Sequence, residues 1–172
     1  MLELARKLET GLGHLARFCC ALAALALAAI VGIIVASVFM RRVAGSPLFY
    51  TEELVGLLLG ASLFLALPMV TREASHVRVT FLASVLSDRG RGVLAICAGI
   101  VTLAFCGWFL VEAIPWLEFA WKRNIKTEAA NLRLGPWMAV LPISIALCAL
   151  LTMVRVITGR EKASFDAPVP KE

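Results

Sequence analysis

Charged residues are scarce in this sequence and histidines scarcer still. Asp, Glu, Lys and Arg make up 17% of its 172 residues, against about 25% in an ordinary soluble domain. That is too little charge to cover a soluble surface around so apolar a chain. The two histidines, His14 and His76, are far apart in sequence, which excludes an H-E-x-x-H zinc site; no span carries the paired histidines that a haem requires. There is no P-loop and no G-x-S-x-G nucleophile motif, so nucleotide-driven and serine-hydrolase chemistry are also excluded. The five cysteines, Cys19, Cys20, Cys97, Cys106 and Cys148, contain no C-x-x-C pair. Each lies in or at the edge of an apolar run, where a thiol behaves as a small hydrophobe. No catalytic residue, cofactor or metal is expected.

What the sequence has in abundance is apolar residues, 60% of the total. They are gathered in four blocks, Phe18 to Met40, Leu54 to Val70, Val93 to Val111 and Trp137 to Val154. Each approaches or exceeds the roughly 18 residues that mark a membrane span. The second block is bounded most sharply, by Glu52 and Glu53 before it and Arg72 and Glu73 after it. As a helix it covers about 25 Å, against a hydrocarbon core of about 30 Å. The expected fold is all-α integral membrane: four transmembrane helices plus short interfacial amphipathic helices. Spans are placed at about 18–40, 52–71, 93–114 and 136–157, together forming a bundle over 17–157.

Outside the spans, residues 1–16 put Leu4, Leu8, Leu12 and Leu15 on one helical face, opposite Glu3, Arg6, Lys7, Thr10 and His14. That is the pattern of an amphipathic helix lying in the interface, interrupted by Gly11 and Gly13. A second interfacial helix is expected at about 76–87, where Val77, Phe81 and Val85 share a side. His76, at its start, lies outside any span, which favours local hydrogen bonding over proton carriage. The first span is rich in alanine and suits close helix packing. The second opens at Thr51, read as an N-cap, with Glu52 and Glu53 in its first turn, where acids complement the positive helix end. One of the pair is then left for Arg41, Arg42 or a partner protein. Helical pattern continues past the third span to Lys122, with Trp108, Trp116 and Trp121 as an interfacial belt. Glu112 is the one acid near a membrane interior, read as reaching water at the outer edge of that span. Residues 158–172 read as a disordered cytoplasmic tail.

The net charge of +5 is no nucleic-acid signature, because the cations sit in the connections between spans. Eleven lie on the side of the termini and six on the other. The positive-inside bias therefore predicts a multi-pass protein with both termini cytoplasmic.

The runs Thr51-Glu52-Glu53-Leu54, Gly60-Ala61 and His76-Val77-Arg78-Val79, with Pro136-Trp137 followed by Leu141-Pro142, resemble the small membrane subunit of TRAP (tripartite ATP-independent periplasmic, DctQ-like) transporters. The resemblance extends from Leu25 to Arg160. Phe49-Tyr50 stands where the family often has Trp, and Thr80 where it often has Asp. The resemblance implies a non-catalytic scaffold subunit of a sodium-coupled secondary transporter importing an organic acid across the bacterial inner membrane. Its implied partners are a large membrane subunit holding the sodium sites, a periplasmic solute-binding protein and the phospholipid bilayer. Glu52, Glu53, His76, Arg78, Pro136, Trp137 and Pro142 are the motif and interface residues it marks, and no residue of this chain is expected to bind substrate. A self-contained four-span exporter would need an acid in the middle of the first span. A membrane thiol–quinone oxidoreductase would need cysteine pairs in outer loops. The sequence has neither.

Overall fold

The computed structural model describes residues 2–43, 45, 49–73 and 88–158. Four helices account for most of them: α1 (Leu2–Val43), α2 (Thr51–Glu73), α3 (Asp88–Lys122) and α4 (Leu134–Ile157). All four are long and apolar enough to cross a membrane. Among the described residues there is no strand, and one isolated antiparallel bridge joins Lys126 to Arg133. The interfacial helix expected at 76–87 and the tail beyond Thr158 lie outside the described residues.

Sequence pattern separates an interfacial helix at 1–16 from a span at 18–40, yet α1 runs unbroken through both. At 1.5 Å per residue it is about 63 Å long, twice the hydrocarbon thickness. Nothing between Leu15 and Phe18 stops a helix, since Ala16 and Arg17 are good helix formers. Gly13, which reads as a weak point, is a packing position. A Cβ there would stand 2.8 Å from Arg72 Nε, so the glycine lets that guanidinium lie against α1.

The first α2 hydrogen bond runs from Leu54 N–H to the Tyr50 carbonyl, at 3.1 Å. Thr51 is therefore not the cap but the first helical residue, and its hydroxyl donates to Ser37 Oγ of α1 at 3.1 Å. Pro68 lies buried within α2. Below it Thr71 Oγ1 donates to the Leu67 carbonyl at 3.0 Å.

α3 ends in a Schellman motif built on asparagine. Asn124 adopts a left-handed φ of 48°. Its N–H donates to the Trp121 carbonyl at 3.3 Å and that of Ile125 to Ala120 at 3.2 Å, closing carbonyls the helix leaves open. At the start of α4, Pro136 falls in the first turn, where its missing N–H costs no helical bond.

α2 and α4 form the middle of the bundle. α1 packs along α2 and touches α4, while α3 packs along α4. Burial follows that order: 44% of the most apolar window of α4 is buried, against 11% for α1. One core cluster joins Ala16 to Leu147 and Leu151, and a second joins Cys106 to Ile145 and Cys148. Three contacts fix the antiparallel register of α3 on α4. Gly99 faces Val156, with a Cβ at Gly99 falling 2.5 Å from Val156 Cγ2. Cys106 lies against Ile145 and Cys148, and the Trp121 ring covers Gly135. Across the bundle, the Phe109 ring meets Phe64 of α2 at 6.1 Å.

Candidate functional site

The bundle has a loop end, where α2 begins and residues 123–133 join α3 to α4. At the opposite end, here called the arginine end, α2 and α4 finish. At the loop end the connection folds back on itself. Thr127 N–H donates to the Leu132 carbonyl at 2.9 Å, and Leu134 N–H to that of Ile125 at 2.9 Å. Thr127 Oγ1 accepts from Leu132 N–H at 3.1 Å. Asn131, with φ of 57°, turns the chain sharply. The tip thus presents two consecutive N–H groups, and both point at Glu53. Ala129 N–H donates to Glu53 Oε1 at 2.8 Å and Ala130 N–H to Oε2 at 2.9 Å. Hydrogen bonds to an ionised carboxylate are the stronger kind, so one side chain in the first turn of α2 holds a loop 76 residues away in sequence. Glu52 beside it is exposed and has no partner among the described residues.

At the arginine end the charge is reversed. Arg155, in the last turn of α4, is only 8% exposed. Its Nη1 donates to the Thr71 carbonyl and, at 3.2 Å, to the Arg72 carbonyl. These are among the last carbonyls of α2, which have no partner within their own helix, and a cation suits the negative helix terminus. Thr71 Oγ1 also lies 3.5 Å from Cys148 Sγ. Sequence pattern treats Arg155 as a residue that merely closes a span. The usable signal is an arginine immediately after an apolar run, paired in height with the Thr-Arg that ends another.

Glu112 stands at a height in the bundle that the sequence does not give. The packed stretch of α3 on α4 extends from Gly99 to Trp121, so its middle falls at Leu110. Phe109, three residues before Glu112, meets Phe64, which lies near the middle of the charge-free run of α2. By both registers Glu112 stands near the mid-height of the bundle, within about 3–5 Å along the helix. It is on the exposed face of α3, and no group among the described residues pairs with it. The sequence puts Glu112 at the outer edge of an apolar run, but α3, at 35 residues, is longer than a bilayer is thick. The start of its apolar run therefore does not set depth. An ionised side chain at that height costs roughly 2.5–3.5 kcal/mol in lipid.

Among the marked residues the structure brings Glu53 to the loop and leaves Glu52 outside that contact. Pro136 lines a small open cleft with Ala120, Trp121, Asn124, Ile125 and Gly135. Trp137 is half-buried one residue on, and Pro142 is buried within α4. His76 and Arg78 lie outside the described residues. The five free cysteines form no disulfide, and no cluster of metal-ligating side chains occurs among the described residues.

Residues 30–162 match the family described as Tripartite ATP-independent periplasmic transporters, DctQ component. The chain belongs to the DctQ family. The match takes in α1 from Ile30 onward and the whole of α2, α3 and α4. No curated protein and no solved structure matches the chain. DctQ proteins are the small component of TRAP transporters, a family of transporter components and not of enzymes. A DctQ component with four membrane-crossing helices is a multi-pass membrane protein.

Proposed function

We propose that this DctQ chain is the non-catalytic scaffold subunit of a sodium-coupled TRAP transporter that imports an organic acid. The large membrane subunit would carry the sodium sites and move the substrate, and a periplasmic binding protein would deliver it. The observation that carries this reading is the family match over residues 30–162, which takes in the second half of the first span and the other three spans whole. The shape of the chain supports it: α1 and α3, of 42 and 35 residues, exceed the roughly 20 that one crossing needs. Long helices flanking a packed centre resist being dragged through lipid when a neighbouring domain moves. The charge distribution supports an inner-membrane orientation with both termini cytoplasmic, since eleven of 17 cations lie on that side. The loop end, with Glu53 holding residues 129–130, then faces the periplasm and is available to the binding protein. Glu52, Glu53, Pro136, Trp137 and Pro142 shape that face and the start of α4, while His76 and Arg78 belong to the cytoplasmic side.

Affinity purification of the tagged chain from its native membranes tests this reading. It should bring down a larger many-span protein, and uptake by the reconstituted pair should require both sodium and a soluble binding protein. Recovery of the chain by itself would refute the subunit assignment. Transport indifferent to sodium would refute the coupling.

A further inference from the structure

We propose that the outer face of α3, centred on Glu112, is the surface that docks the large membrane subunit, through a partner helix that places a hydrogen-bond donor or cation at mid-height. This rests on the reading of the chain as a scaffold subunit.

The two flanking helices make the case by contrast. The outer face of α1 carries no charged residue between Arg17 and Arg41, and its exposed side chains there include Leu25, Val31, Val35 and Val38. Such a face is at home in lipid and asks for nothing more. The outer face of α3 is as apolar, with Val101, Phe105, Trp108 and Trp116 all more than half exposed, except for the carboxylate of Glu112 among them. The residues one turn away on either side are Trp108 and Trp116, so no cation of α3 lies within reach. Lys122, ten residues further on, is already paired with Glu118. Ionisable side chains at membrane depth face a protein partner or a water-filled cavity. Among the described residues Glu112 faces neither. Charge complementarity therefore selects the occupant: a membrane helix bearing Arg, Lys or a neutral donor. The large aromatic rings around the carboxylate supply apolar area and exclude water, as the surroundings of an interface anchor do. A second copy of this chain is a poor fit, since its α3 face would bring another carboxylate to the same height.

The test uses the intact transporter in native membranes, with a photo-activatable residue at Val101 or Val111 on α3 and, in parallel, at Leu25 or Val35 on α1. Adducts to the larger subunit are expected from α3 and not from α1. Glu112→Leu gives the sign. At a docking surface it should cut recovery of the larger subunit by about tenfold or more, as losing one buried charged contact does, with Glu112→Gln falling between. At a lipid face, Glu112→Leu should leave recovery unchanged and raise the yield of inserted chain, which would overturn the proposal. Adducts from α1 in place of α3, or to lipid or a second copy, would also overturn it while leaving the scaffold reading intact. Failure of any larger subunit to copurify with the unmodified chain would instead refute that reading.

Discussion

The two ends of this bundle solve one problem with opposite charges. At the loop end Glu53 accepts two backbone N–H groups from the α3–α4 connection. At the arginine end Arg155 donates to two backbone carbonyls that finish α2. In both, a single side chain satisfies main-chain groups of a distant segment, which secondary structure by itself leaves open. The difference lies in burial and in what is held. Arg155 is buried among helices, and its loss exposes nothing to water that could take its place. Glu53 stands beside an aqueous loop, where solvent can replace it. The arginine end should therefore govern stability and the loop end local order.

The strongest way to break this contrast is Arg155→Ala. Leaving the Thr71 and Arg72 carbonyls without their donor should cost about 1–3 kcal/mol, seen as a lower melting temperature in detergent and lower yield. Arg155→Lys should recover part of the loss, because an ammonium donates as a point and not as a planar fork. A melting temperature unchanged in Arg155→Ala would mean that this end is not held by the arginine. Gly99→Val is next. With Val156 Cγ2 already 2.5 Å from where a Cβ would sit, overpacking should cost about 1–3 kcal/mol. Adding Val156→Ala should restore much of it, and no restoration would place the strain elsewhere. Glu53→Ala should barely move the melting temperature. It should instead raise hydrogen exchange at the Ala129 and Ala130 amides and speed proteolysis within residues 123–133. The smallest effect belongs to Glu52→Gln, which should alter neither melting nor loop exchange. Equal effects from Glu52 and Glu53 would reduce both to electrostatics at a helix start.

The four spans are legible in the sequence because apolar length and flanking charge are local properties. So is the end of α3, where helical periodicity runs to Lys122 and the helix stops there. What escapes is whatever depends on height or on a partner far along the chain. The bond from Arg155 to Thr71 joins residues 84 apart, and no periodicity encodes it. Gly13 looks like a flaw in an amphipathic helix until Arg72 is laid beside it. The continuity of α1 is hidden because a change from amphipathic to uniformly apolar pattern resembles a boundary, although the backbone meets no stop. The height of Glu112 in the bundle escapes for a related reason: along an overlong helix it is set by the neighbours the helix packs on. Of the acidic pair, sequence pattern selects both residues but cannot tell which one meets the loop. That choice depends on where Ala129 and Ala130 fall in space.

The central claim is that the chain holds and orients a transporter without moving solute itself. Reconstitution tests it most directly: proteoliposomes containing this chain by itself, and others containing the complex purified from native membranes, each supplied with the binding protein loaded with its native ligand. The account predicts ligand accumulation by the complex and none above empty liposomes by the single chain. Sustained accumulation by the single chain would contradict it.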